Sequence, residues 1–455
     1  MPGKGLLEML RGGKVPEHDM IYDNRREEPL TTTRQSHDRS ERHGMSRRQF
    51  LVRAGLSAAF LLGGLSAAEA EDTRIVKVGF IFPEKGPHAS EAKSFMAGFQ
   101  LFFKEAGMDK PPVEIVRKDP GPKDEKALQC LTELMTDKDV RFVVGPLTLK
   151  GSEQVVHGVG TANVLFFIVN PEIRLVSGEM CLPLSFRISA NTYQCAQPLA
   201  GWAVKNVGTR IFITGSDDTP ANEEADFFAN SFDKAGGTFV DRMMAEASGI
   251  KGVLTALSKS DANSVFAAFS GETAGTFFKE YRKFSPPLKQ HIIGPGSLMP
   301  FPQSSSEIKE IPPGVKTLSC IKNPAELVDR IKKTLKTEVS DVVRAAEGFD
   351  LAAVITRAVQ SLPAEGSDLT GAIRVIEEME IQGPRGKIRF DKNHEPILDT
   401  FVQEWEFAGP GPKQKILDDL GSCQTPDFGC GRIGFPRRPD SEIQEEEPLF
   451  DQNEN

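Results

Sequence analysis

The sequence predicts an α/β protein made of two successive parallel sheets flanked by helices, and three observations carry that prediction. From residue 75 short apolar strands alternate with amphipathic helices. The alternation restarts after residue 191 with no long flexible linker between the two runs. Beyond residue 321 the chain turns helix-rich and then closes with a hairpin pattern. Strand–helix alternation of this kind gives a parallel sheet covered on both faces.

In order, "IVKVGFIF" (75–82) is a β-branched and aromatic strand, followed by Phe95, Phe99, Phe102 and Phe103 at near-helical spacing within 90–106. "VEIV" (113–116) reads as a strand and "DEKALQCLTELMTD" (124–137) as a helix with acidic residues in its first turn. "VRFVVG" (140–145) and "VLFFIV" (164–169) are strands around a helix that starts near Ser152. The second run has helices at 191–206, 222–235 and 272–284, and strands "RIFIT" (210–214), "SVFAAF" (264–269) and "HIIG" (291–294). "VKTLSCI" (315–321) precedes helices at 324–336, 340–361 and 369–379, then the hairpin "GKIRF-DKNHEP-ILDTFVQEWEF". Residues 408–455 are rich in Pro and Gly, then acidic, and read as a disulfide-tied loop with a disordered end.

Ahead of all this stands "MSRRQFLVRAGLSAAFLLGGLSAAEA" (45–70). Arg47 and Arg48 precede a small, Gly- and Ala-rich apolar run, and Ala68-Glu69-Ala70 presents small residues at a peptidase site. The run is short of the ~20 residues that span a bilayer. Ser46-Arg47-Arg48-Gln49-Phe50-Leu51 matches the twin-arginine pattern S-R-R-x-F-L, so export by the twin-arginine translocase with cleavage after Ala70 is expected. Residues 1–44 are polar and aperiodic and read as a disordered leader, and Met45 directly before the motif offers an alternative start of translation.

Residues 1–70 hold 11 Lys+Arg and 9 Asp+Glu; subtracting their +2 from the chain's −9 leaves −11 for residues 71–455. So acidic a chain argues against nucleic acid as a partner, since phosphates require basic patches. The six cysteines (130, 181, 195, 320, 423, 430) allow 15 pairings in an oxidising compartment. Cys423 and Cys430, flanking the turn-rich "QTPDFG", are the first candidate pair, and Cys181 with Cys195 the second. Cys130, among Leu128, Leu131 and Leu134, reads as a buried free thiol. Metal spacing is absent, with no Cys-x-x-Cys and scattered histidines.

No enzyme motif emerges. "GVG" (158–160) and "GPG" (294–296) lack the G-x-G-x-x-G spacing, and no G-x-x-x-x-G-K-[ST] occurs. "GGLSA" (63–67) lies in the leader and is no nucleophile elbow. Asp217-Asp218 are adjacent loop acids of the ordinarily solvated kind. No catalytic residue and no cofactor are expected.

The ordered set "IVKVGFIFPEKGPHASEAKSFMAGFQLFFKEAG", "VRFVVGP", "LFFIVNPE", "FRISANTYQ", "GFDLAAVITRAVQ" and "GPRGKIRFDKNHEPIL" resembles type I periplasmic solute-binding proteins, the branched-chain amino acid and amide binders of ABC importers. The resemblance covers residues 74–407 and implies a two-lobed type I fold with a cleft and three hinge crossings. It implies lobe 1 from 74–190 plus 322–383, and lobe 2 from 191–321 plus a closing hairpin at 384–407. It also implies a periplasmic protein that closes on a small-molecule solute and delivers it to importer permease subunits. A ligand-binding module of a periplasmic sensory or enzyme system is the alternative.

Open α/β sheets bind ligands at the carboxyl ends of their strands. The candidate ligand-binding residues are therefore Ser90, Glu91, Thr148, Lys150 and Asn170 from lobe 1, and Thr192, Tyr193, Asp218, Thr219, Glu272 and Ser297 from lobe 2. Tyr193 is the expected aromatic wall. Departures from the amino acid binders are specific: Leu147-Thr148-Leu149-Lys150-Gly151 replaces a serine run, Asn170 a small turn residue, and Gly296 a glutamate. Loss of that glutamate would leave a ligand ammonium unpaired. With Lys150 across the cleft, the sequence therefore favours an anionic or aromatic-acid-like solute.

Overall fold

A computed structural model describes residues 75–137, 139–160, 162–173, 180–299, 310–363, 368–406 and 413–430. The twin-arginine leader with Arg47, Arg48 and Ala70, and the acidic end from residue 431, lie outside the described residues.

The first sheet is built from β1 (Val76–Ile81), β2 (Val113–Lys118), β3 (Val140–Val144), β4 (Leu165–Ile168) and β5 (Ser185–Arg187). Their order is β2-β1-β3-β4-β5, every pair parallel. β3 and β4 are buried at every position, which explains their unbroken apolar runs: both faces are covered. Helices α1 (Ala89–Glu105), α2 (Ala127–Thr136) and α3 (Leu149–Val159) connect the strands. Ile81, Val143 and Phe166 pack with α2 and α3 on one face. Val78, Phe80, Phe142 and Phe167 pack with α1 on the other. There Phe80 and Phe99 meet edge to face at 5.1 Å. Each such ring contributes about 2–3 kcal/mol through burial.

The second sheet starts after α4 (Thr192–Asn206). β6 (Arg210–Gly215), α5 (Thr219–Lys234), β7 (Thr238–Met244), α6 (Ile250–Lys259), β8 (Ser264–Ala268), α7 (Gly271–Lys283), β9 (His291–Gly294) and β10 (Lys316–Ser319) follow. Ile211, Ile213 and Phe266 face α4 and α5, while Phe212, Val265 and Ile292 face α6 and α7. Neither β7 nor α6 was expected from the sequence. β7 is an edge strand whose Phe239 is 50% exposed, so it lacks the apolar run that marks a covered strand.

The chain then returns to the first core. α8 (Pro324–Leu335) packs Leu327 and Ile331 against Ala97 and Leu101. α9 (Val342–Val359) and α10 (Thr370–Glu378) cover the face holding α1. α1 and α9 touch backbone to backbone: a Cβ on Gly98 would lie 1.7 Å from the Ala345 carbonyl oxygen, and one on Gly348 2.0 Å from that of Phe95. No side chain fits at either glycine. This close seat fixes the N-terminus of α9 beside the end of β4.

β11 (Ile381–Gly383), β12 (Gly386–Phe390), β13 (Pro396–Glu406) and β14 (Lys413–Cys423) complete the second sheet, ordered β11-β12-β13-β10-β9-β8-β6-β7 with β14 on β13. Ile388, Phe390 and Leu398 nevertheless sit in the first core, whereas Val402 and Trp405 sit in the cores of the second sheet. β13 thus passes from one unit to the other, as the chain also does between β5 and α4 and between β10 and α8.

Two sequence expectations need correction. Residues 413–423 are a strand, not a loop; its register on β13 is broken twice and its outer side is polar, so no two-residue period shows. The disulfide joins Cys181 to Cys430, so neither Cys423–Cys430 nor Cys181–Cys195 forms. Cys195 and Cys423 are free thiols, as are Cys130 and Cys320. Pairing follows spatial proximity across a separation of 249 residues, which spacing along the chain does not reveal.

Candidate ligand cleft

The carboxyl ends of the strands supply the loops of the site. β4 runs into Asn170, which is 2% exposed. Its Nδ2 donates to the Leu147 carbonyl at 2.9 Å, and its Oδ1 accepts from the N–H groups of Glu172 and Ile173. Asn170 therefore shapes the turn that carries Glu172. Burial raises the pKa of Glu172, and Arg344 and Asp218 lie within electrostatic reach. Asp218 caps α5, accepting from the Ala221 N–H at 2.9 Å. One turn along α5, burial pushes Glu224 up to about 8, with Glu172, Asp218 and Glu223 adding repulsion. The ends of β4 and β6, from different sheets, thus face each other across these carboxyls.

Arg344, in the first turn of α9, is the central cation. Its Nη1 donates to the Val169 carbonyl and to Glu347 Oε2 (2.9 Å), and its Nε lies 3.4 Å from Glu91 Oε2. Burial opposes the charge, but Glu347, Glu91 and Asp341 outweigh it and hold the guanidinium above its ordinary value. Burial alone would raise Glu91; its hydrogen bond to His88 (2.8 Å) and the Arg344 charge bring it below the usual range. Asp341 caps α9 through the Arg344 N–H and is raised to about 6 by burial.

The remaining predicted residues divide clearly. The Ser90 carbonyl accepts from Ser94 Oγ at 2.9 Å in the first turn of α1. The Thr148 hydroxyl donates to Asp124 Oδ2 at 2.8 Å and accepts from the Gly151 N–H at 3.0 Å, so its two roles serve the cap of α3. Buried Thr192 donates to Glu223 Oε2 at 3.3 Å, linking α4 to α5. Tyr193 packs edge-on against Phe227 (5.2 Å) and Phe428 (6.3 Å). Lys150, Thr219, Glu272 and Ser297 lie exposed in the first turns of their helices.

Behind the cleft a buried polar hinge holds the crossings. Arg187, at the end of β5, meets both Glu395 oxygens at 3.0 and 2.9 Å and donates to the carbonyls of Asn170 (2.6 Å) and Ile173 (2.5 Å). Asn191 Nδ2 adds a bond to Glu395 at 2.9 Å. Arg385 pairs with Asp350 at 2.6 Å and donates to the Ile188 carbonyl at 2.7 Å. The Asn170 turn is therefore held from the hinge side.

Sequence reasoning missed Arg344, Glu172, Glu224, Arg187 and Glu395. For Arg344 a signal existed: Asp341 at an N-cap position, with Arg344 and Glu347 three apart among the apolar residues of the first turns. Glu395 stands in "DKNHEP", which reads as a solvated turn, although Asp391, Asn393, His394 and Glu395 are all buried. Among the described residues, no group of three or more His, Cys, Asp or Glu could hold a metal ion, and no helix is long and apolar enough to cross a membrane.

Two sheets with helices on both faces, the first parallel and the second parallel from β7 to β10 with β11–β14 added antiparallel, joined by a hinge and meeting at their strand ends, define a two-lobed α/β binding protein of type I architecture. The chain belongs to the periplasmic binding protein family, whose model matches residues 75–410. Membership implies a periplasmic or extracytoplasmic location. It is similar to Leu/Ile/Val-binding protein homolog 6 of Brucella abortus (strain 2308), at 25% identity over 364 residues, 76% of this chain and 91% of that one. Among solved structures it resembles a Rhodopseudomonas palustris ABC transporter solute-binding protein in complex with benzoate (TM-score 0.64, 20% identity, 78% of this chain, 99% of that one). It also resembles a Streptococcus pneumoniae branched-chain amino acid transporter substrate-binding protein in complex with isoleucine (TM-score 0.60, 17% identity, 75% of this chain, all of that one).

Proposed function

We propose that the protein captures a small organic solute between its lobes in the periplasm and delivers it to the permease of an ABC importer. The observation that carries this reading is the meeting of strand ends from both sheets at Glu172, Asp218 and Glu224, with Arg344 and Glu91 behind them. The named relatives, which are solute-binding proteins rather than enzymes, support it. In this reading the lobes are 74–190 with 322–383, and 191–321 with the hairpin 384–407, whose Ile388 and Phe390 pack in the first core. Export follows the twin-arginine route. A precursor carrying Arg47→Lys and Arg48→Lys should stay in the cytoplasm, and full export of that variant would sink the route.

The wall's charge favours one class of solute. Acidic groups from both lobes, Glu172, Asp218 and the protonated Glu224, surround the cleft, and the Arg344 guanidinium already serves Glu91 and Glu347. Lys150, the expected partner of an acid, lies exposed in the first turn of α3. A solute with a cationic nitrogen, an amino acid or amine, gains by drawing the proton off Glu224 and pairing with its carboxylate; a simple aromatic acid gains no ion pair from these acids. A thermal-shift panel of leucine, isoleucine, glutamine, putrescine, benzoate and 4-hydroxybenzoate tests this. Ligand at 100 times its Kd stabilises by about 2.7 kcal/mol. The amines should raise Tm; a rise with the benzoates alone would reverse the charge assignment.

A further inference from the structure

We propose that residues 424–430, closed by the Cys181–Cys430 bond, form a covalent strap across the hinge that limits how far the lobes separate. The proposal rests on the two-lobed receptor reading. The strap leaves from the hinge end of β14: Cys423 is in register with Leu398 on β13, whose side chain sits in the first core, and the Cys423 carbonyl accepts from Gln194 Nε2 at 3.0 Å. Buried Thr425 then accepts from Asn191 Nδ2 at 2.7 Å, the same amide that donates to Glu395. Asp427 lies 3.2 Å from Lys392 in the turn between β12 and β13. Phe428 packs against Tyr193 and Phe227, its centroid 6.3 and 5.8 Å from theirs, on the first turn of α4 and the middle of α5.

Two residues later the chain is bonded to the other lobe. Cys181 lies between β4 and β5, next to Leu182, which is buried with α2 and α3 against the first sheet. Seven residues therefore carry the chain from β14, past the rings on α4 and α5, to the first lobe, a reach of at most about 25 Å when fully extended. The bonds at Thr425 and Phe428 take up part of that reach. Moving Cys181 away from Tyr193 and Phe227 must pull the strap off these rings or stop the motion. The peptide crossings at the hinge bend by φ/ψ rotation. The strap adds a fourth connection, fixed at one end by a covalent bond and gripped at the other by three rings.

The test compares solute-free, oxidised full-length protein by solution scattering. Cys181→Ser/Cys430→Ser should show a larger radius of gyration than wild type, with an unchanged far-ultraviolet circular dichroism spectrum. Phe428→Ala, which keeps the bond but loses the ring contacts, should expand less than the double variant. An equal radius in wild type and double variant overturns the strap. Should the double variant fail to fold, native wild type reduced with tris(2-carboxyethyl)phosphine gives the same comparison. If the double variant matches wild type while wild type still compacts with isoleucine or putrescine, the strap is wrong and lobe closure stands. If neither expansion nor compaction occurs, both readings fall.

Discussion

Replacing Glu395 with alanine should destabilise the protein by about 3–5 kcal/mol, the cost of leaving a buried charge without its partner. Arg187 and Glu395 are 1% and 3% exposed, so water offers little compensation. The two carbonyls that Arg187 also contacts satisfy donors but do not neutralise charge. Glu395→Gln keeps the shape and should cost less than the alanine, because one oxygen still accepts. Arg187→Met/Glu395→Leu removes both charges and should recover much of the loss, since apolar replacements of buried pairs are often tolerated. Urea unfolding of the four proteins gives the comparison. A loss below about 1 kcal/mol for Glu395→Ala, the size of an exposed pair, would mean that the hinge is wet and the pair screened.

Raising the pH from 6 to 9 should lower stability through Glu224. In the folded protein this carboxyl keeps its proton up to about pH 8, against 4.5 for an ordinary glutamate. Between those values the folded state binds more protons than the unfolded one, so stability falls as pH rises. The contribution is complete below 4.5 and lost above 8. At its steepest the loss is about 1.4 kcal/mol per pH unit. The raised pKa of Glu172 acts in the same direction. His88, raised by its bond to Glu91, also favours the folded state at the lower pH. A difference experiment isolates Glu224: Glu224→Gln should flatten the dependence of Tm on pH between 6 and 8.5. An identical slope in the variant would show that Glu224 is not held neutral by its neighbours.

What was legible in the sequence depended on whether a segment is covered on both sides. β1, β3, β4, β6 and β8 are, and their apolar runs announce them. β7 and β14 are edges with polar or broken patterns, and both escaped. The site divides on similar lines. Strand-end loops pointed to Glu91, Asn170 and Asp218, because parallel sheets place ligand loops there. Arg344 lies 175 residues beyond Val169, and only the glycine-mediated seating of α9 on α1 brings the two together. The hydroxyls singled out at Thr148 and Thr192 are engaged by Asp124 and Glu223, a commitment that residue type alone does not reveal. Arg187 and Glu395 are 208 residues apart, so their pairing belongs to the hinge as a whole.

The central claim is that two lobes close on a small solute. Closure is stabilised only by the difference in solute affinity between open and closed states. Solution scattering of the wild-type protein, with and without the compound that most raises Tm in the panel, measures it directly. The account predicts a smaller radius of gyration in the presence of that compound, at unchanged molecular mass. Saturating binding with no change in the radius would contradict it.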